Sequence, residues 1–139
     1  MILYQTKTSR LSGSSWKEVC PKARRLLHAI EKRTKRQPYI RSAYFKKEKI
    51  FINYFWPHLM QKPRRERLER LKILPCAIEL IENSHRKPAI TISPNKPKEK
   101  LYRFAGMTPN QELFFVQIKE NKTRAKYFMS IFPSIWFKE

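Results

Sequence analysis

The sequence contains no aspartate; its eleven acidic residues are all glutamates. Metal-dependent nucleases and transferases hold their cations with clustered carboxylates. Glutamate can serve there too, but the close pairs Glu66/Glu69 and Glu79/Glu82 have the spacing of solvated helix faces. Glycine occurs only at 13 and 106, which leaves no glycine-rich loop to cradle a phosphate. The three histidines, His28, His58 and His85, have no cysteine or histidine partners at ligand spacing, so no zinc signature is present. Kinase, NTPase, dinucleotide-binding and zinc-hydrolase classes are thereby disfavoured, and neither a metal nor another cofactor is expected. Cys20 and Cys76 lie far apart among apolar neighbours. They make no disulfide framework and are expected as small buried side chains. No run of 18 apolar residues occurs, so no membrane span is expected. The start, MILYQTK, lacks the charged end and long apolar segment of a secretory signal. A cytoplasmic location is expected.

What the chain has in excess is positive charge. Its 139 residues carry 31 Lys and Arg against 11 acids, a formal net charge of +20. The excess is spread along the chain: ten basic and two acidic residues in 1–40, twelve and five in 41–87, nine and four in 88–139. A body this cationic repels itself unless a polyanion is near. RNA or another nucleic acid is the expected partner, through phosphate neutralisation and counterion release. A membrane surface is not expected, because no clear amphipathic anchor is present.

Residues 1–14 are polar and read as a loosely held arm. Ser15 with Glu18 forms a capping box ahead of Val19, Ala23, Leu26, Leu27 and Ile30, so a helix is expected from about Trp16 to Thr34. Ser42 can cap a second helix through Tyr44, Phe45, Ile50, Phe51, Tyr54 and Phe55, with a strand at 49–54 as the alternative. Leu68, Leu71, Leu74, Ile78 and Ile81 mark one face of a helical stretch over 64–83. Pro75 should kink it or divide it into two short helices. Its basic outer side offers Arg64, Arg65 and Arg67 to phosphates. Ala89–Ser93, between Pro88 and Pro94, reads as an edge strand, and 95–100 as a basic loop.

The stretch 101–133 alternates in the manner of three strands, 101–106, 113–119 and 126–132, joined by hairpin-length turns. One set of side chains is apolar: Tyr102, Phe104, Phe114, Val116, Ile118, Tyr127, Met129 and Ile131. The other mixes Arg103, Phe115, Gln117, Lys119, Lys126, Phe128, Ser130 and Phe132. A register pairing Lys119 with Lys126 and Arg103 with Phe115 puts the mixed set on one basic, partly aromatic platform. A one-residue slip in either hairpin would scatter it. Trp136 and Phe137 are expected to fold back onto the body. The fold class is α+β: a helical N-terminal half packed with a small antiparallel sheet, a meander of three or four strands.

The residues RLKILPCAIELIENS, the Pro-flanked strand, YRFAG, ELFFVQIKE and YFMSIFP resemble the phage-associated barnase–EndoU–colicin–RelE-like nuclease group over about residues 64–133. The resemblance implies a barnase/RelE-like nuclease domain at 63–139 behind a helical extension at 1–62. It also implies metal-independent RNA cleavage by a toxin or mobile-element protein, with a cognate acidic antitoxin or the ribosome as further partners. In that group the last strand carries a hydroxyl residue, here Ser130, and a neighbouring strand a basic one, here Lys119 or Arg103. This chain has no histidine on those strands; His85 lies before them.

Metal-free cleavage needs a base for the 2′-hydroxyl, cations at phosphorus and an acid for the leaving oxygen. Arg103, Lys119 and Lys126 would stabilise charge, Ser130 and Gln117 would orient phosphate or ribose, and Phe115 and Phe128 would stack a base. His85 is the histidine in reach for acid–base work. The alternative is a non-catalytic basic protein that binds nucleic acid with the same platform. A third possibility is a protein whose partner is an acidic protein.

Overall fold

The computed structural model describes residues 3–133, and residues 134–139, including Trp136 and Phe137, lie outside the described part. Among the described residues the elements run β1 (Leu3–Gln5), α1 (Trp16–Arg33), β2 (Tyr39–Ser42), β3 (Glu48–Phe51), α2 (Phe55–Met60), α3 (Arg64–Lys72), α4 (Leu74–Asn83), β4 (Ala89–Ser93), β5 (Lys96–Met107), β6 (Leu113–Glu120) and β7 (Lys126–Pro133). All seven strands join one mixed sheet in the order β1-β5-β6-β7-β3-β2, with β4 also on β5, and the sheet curls into a half-barrel. This corrects the expected helical front half and small antiparallel meander. Three strands come from the first 51 residues, and two joints, β1–β5 and β3–β7, are parallel.

The local reasons for the elements are plain. The amide of Glu18 donates to Ser15 Oγ at 3.3 Å, and the Ser15 hydroxyl donates to the Glu18 carboxylate at 3.1 Å, which starts α1. Helices α3 and α4 meet at Ile73, and Pro75 sits in the first turn of α4, where its missing N–H costs little. Helix α4 buries Leu74, Cys76, Ala77, Leu80 and Ile81. Gly106 is needed where α4 meets the sheet: a Cβ there would lie 2.8 Å from Leu80 Cδ1 and 2.5 Å from Phe114 Cζ.

The N-terminal arm is fastened rather than loose. Thr6 N–H donates to Met107 O at 2.9 Å and Leu11 N–H to Lys72 O at 2.8 Å. Glu79, on α4, accepts from the amides of Lys7 and Thr8 and from Tyr4 Oη at 2.8 Å. Burial alone would raise the Glu79 carboxyl, but these donors outweigh it and hold it below its usual range. Cys76 is fully buried, and burial pushes its thiol up to about 11.

Residues 42–55 are the largest departure from the expected elements. Instead of a helix, β2 and β3 form a hairpin over 39–51 whose turn has Lys46 and Lys47 at φ 54° and 66°; β3 realises the alternative strand in part, and Phe55 opens α2. The hairpin's aromatic residues fold back onto the sheet. Phe45 meets the Tyr102 ring edge-on at 4.9 Å, and Tyr44 meets Phe104 at 5.5 Å. Strand β5 begins at Lys96, so the expected basic loop is strand as well.

Candidate nucleic-acid interface

Direct cross-strand partners share a face of a sheet. Between β5 and β6, Leu101 pairs with Lys119, Arg103 with Gln117 and Ala105 with Phe115; this is two residues from the expected Arg103–Phe115 pairing, and an even shift keeps the mixed set together on these two strands. Between β6 and β7 the pairing is Glu120 with Lys126 and Lys119 with Tyr127, one residue away from the expected register. That slip turns Lys126 and Phe128 to the core and Tyr127 outward. A bulge at the step from Ile118 to Gln117, where Met129 is the extra residue, then restores the phase, so Ser130 lies beside Gln117 and Phe132 beside Phe115.

Lys126 and Phe128 therefore leave the expected platform. Phe128 is fully buried and stacked on Phe55 with ring centroids 4.7 Å apart. Lys126 lies under the β2–β3 hairpin, its Nζ 2.7 Å from Glu48 Oε2, 3.3 Å from Glu120 Oε1 and 4.8 Å from the Phe45 ring. Tyr102 Oη donates to Glu120 at 3.0 Å. Burial, then the Glu120 carboxylate, pushes the Tyr102 phenol up to about 12, and burial with Glu79 does the same to Tyr4. An unfolded tyrosine ionises near 10. The folded state thus keeps these protons longer, and the stability they contribute is complete below pH ~10 and lost as pH rises toward ~12. Urea midpoints measured from pH 8 to 12 should fall across that window, and Tyr102→Phe should flatten the fall.

The other expected residues are distributed as follows. Lys119 is half-buried on the outer face and paired with Glu99 at 3.1 Å. Arg103 donates to Gln117 Oε1 at 3.2 Å, and its guanidinium lies 5.3 Å from the Phe132 ring centre. Ser130 shares this row but is 3% exposed, and its Oγ accepts from Arg70 at 2.8 Å. Arg67 holds the end of α2, donating to Met60 O at 2.6 Å and Lys62 O at 2.7 Å. Arg64 and Arg65 are exposed at the start of α3. His85 lines a cleft of about 760 Å³ with Arg41, Lys46, Lys47 and Glu82, different from the one that Lys119 lines. The structure thus brings Arg103, Gln117, Lys119, Phe115 and Ser130 to one face, with Arg70 of α3 at the Ser130 hydroxyl, and leaves His85, Arg64, Arg65 and Arg67 out of that row.

That face extends beyond what the sequence suggested. Tyr39, Phe51, Tyr127, Lys119 and Leu101 are consecutive cross-strand partners from β2 to β5. Ring centroids are 6.3 Å apart for Tyr39 and Phe51, and 5.6 Å for Phe51 and Tyr127; Tyr54, 47% exposed, packs on Tyr127 at 4.7 Å. Next along the hairpin, Arg41 directly opposes Lys49, and like charges so placed repel. Their cationic ends lie 5.2 Å and 4.6 Å from the Tyr39 ring centre. Arg33 at the end of α1 and Lys35 and Arg36 after it join Tyr39, Lys49 and Phe51 around a cleft of about 610 Å³; its described lining has four cations and no carboxylate, though Arg33 is paired with Glu82 at 3.6 Å. A smaller cleft of about 200 Å³ follows, lined by Tyr54, Lys119, Asn121, Tyr127 and Met129.

No protein-family model, curated protein or solved structure matches the chain. Among the described residues no helix is long and apolar enough to cross a membrane.

Proposed function

We propose that the protein binds single-stranded nucleic acid, RNA foremost, on the outer face of its sheet. The observation that carries this is the aromatic row Tyr39–Phe51–Tyr127 with opposed Arg41 and Lys49 beside it. Two cations set against each other are relieved by an anion between them, and a phosphate has the right charge. A row of rings offers faces to unstacked bases, whereas a duplex hides its base faces. The four-cation cleft next to the row supplies the path for the backbone.

The test is fluorescence anisotropy with a labelled single-stranded RNA and a duplex of equal length. The single strand should bind more tightly, with steep salt dependence. Tyr127→Ala should weaken binding roughly 5- to 100-fold, the range for one stacked base, and Lys49→Ala should lower the salt slope by about one. A duplex preference, or unchanged affinity in Tyr127→Ala, would overturn the proposal.

A second function, metal-independent cleavage at the same face, would use the row Arg103–Gln117 with Lys119 beside it; Ser130 continues the row but is buried, its hydroxyl held by Arg70. It requires 2′,3′-cyclic ends formed in EDTA and lost in Lys119→Ala or Ser130→Ala. Binding without such products supports the non-catalytic function.

A further inference from the structure

Strand β4 sits at the sheet's border. It pairs with β5 through Ala89–Arg103, Ile90–Tyr102, Thr91–Leu101 and Ile92–Lys100, and no described residue pairs with its other edge. Ile90 and Ile92 lie on the face that Tyr102 occupies, yet they are 56% and 51% exposed. Edge strands in soluble proteins are usually blunted by charges within the strand, by bulges or by coverage. Here the segment AITIS has no charge and its pairing with β5 is regular over Ala89–Ile92; an irregularity between Ile92 and Ser93, with Pro88 and Pro94 on either side, limits the open edge to those four residues.

The charges lie around the strand instead of in it. Arg86 and Lys87 precede it, and Lys96, Lys98 and Lys100 follow on the paired strand. Glu99, the acid at this end of β5, is held by Lys119. A second copy docking edge to edge would set these cations against their duplicates. Nucleic acid would satisfy the lysines but leave the open backbone edge and the two isoleucines unused.

We propose that β4 is a docking edge for an extended acidic segment of a partner protein, which adds a strand to the sheet and lays β-branched side chains on Ile90 and Ile92. Backbone hydrogen bonds hold the added strand, the isoleucines select its apolar positions, and the flanking lysines select its glutamates or aspartates. The surface is separate from the aromatic row, so the two sites can be occupied together.

The probe is an acetylated, amidated peptide of alternating valine and glutamate, titrated into the isotopically labelled full chain and followed by amide NMR. Binding should shift the amides of 89–93 and slow their exchange with solvent. Ile90→Ser/Ile92→Ser should weaken it about tenfold or more, as expected for losing two half-buried contacts. Lys96→Glu/Lys98→Glu, whose residues are exposed and outside the core, should weaken it independently. The same peptide with a central proline should not bind. The proposal is overturned by no shift at millimolar peptide, or by peptide binding that the isoleucine variant leaves unchanged. A dimer dissolved by the isoleucine variant, or RNA affinity lowered by it, also overturns the proposal.

Discussion

Lys126→Ala is expected to cost about 3–5 kcal/mol of stability at neutral pH, the range for breaking a buried ion pair from one side. Lys126 is 6% exposed and stands between two carboxylates. Glu48 is exposed enough to turn to water once the ammonium is gone. Glu120, at 9% exposure, is not, and would keep the Tyr102 hydroxyl and the charge of Lys100 across the strand pair. Burial alone would raise the Glu120 carboxyl, but Tyr102 and Lys126 outweigh it and hold it below its usual range. A carboxyl with a lowered folded pKa contributes stability above its unfolded pKa and loses it as pH falls through the folded one. Lys126→Ala should therefore weaken or reverse this contribution, so that urea midpoints differ most from wild type near neutrality and converge in acid. Adding Glu120→Gln should recover part of the loss. Equal midpoints for wild type and Lys126→Ala at pH 7 would show that the network holds nothing together.

Arg70→Ala should have an effect of similar size, about 3–5 kcal/mol, for a different reason. Strand β3 pairs with β7 only at Ile50–Lys126 and Phe51–Tyr127, and then the chain turns away into α2. The edge of β7 beyond that point needs another partner. Arg70, 5% exposed, reaches over from α3 and donates to Ile131 O at 3.0 Å and Ser130 Oγ at 2.8 Å, while Glu66 accepts from it at 3.1 Å. Its guanidinium lies 4.8 Å from the Phe132 ring centre. Burial pulls the Arg70 pKa down and the Glu66 carboxylate resists. Without the guanidinium, a strand-edge carbonyl, a hydroxyl and a carboxylate lose their donor together. Arg70→Lys should rescue little, since an ammonium cannot reproduce the planar fork. Ser130→Ala should cost about 1 kcal/mol, because Arg70 keeps Ile131 O. Chemical denaturation of the three variants tests this, and a Ser130→Ala effect as large as that of Arg70→Ala would refute the bridging role. A variant at Ser130 that stays stable but abolishes RNA cleavage would instead support the catalytic function.

The parts of the fold legible in the sequence are those whose signals are local. The capping box at Ser15 and Glu18, the break at Pro75 and the alternation over 101–133 each act within a few residues. The hairpin at 39–51 was not legible, because its turn is made by two lysines at positive φ where asparagine or glycine would have announced it. Its aromatic residues also repeat at helix-like spacing. The strand at Leu3–Gln5 is only three residues long and owes its existence to a partner about a hundred positions away. At the site, β5 and β6 keep the expected parity, whereas β7 leaves it and regains it at Met129. No residue-level pattern encodes that bulge, so Lys126 and Phe128 looked like surface groups. Phe51 and Tyr54 belong to an aromatic cluster visible in the sequence, but the row that joins them to Tyr39 and Tyr127 exists only once β2 and β3 are strands.

The two parallel joints have a consequence for how the chain acquires this shape. Leu3 waits for Ala105, and Ile50 for Lys126, so during vectorial synthesis β1 and the β2–β3 hairpin emerge long before the strands they join. Closing such distant ends makes assembly slow, in the range of milliseconds to seconds typical of non-local topologies. In the interval the nascent chain presents sticky, unpaired segments to chaperones and to other polypeptides.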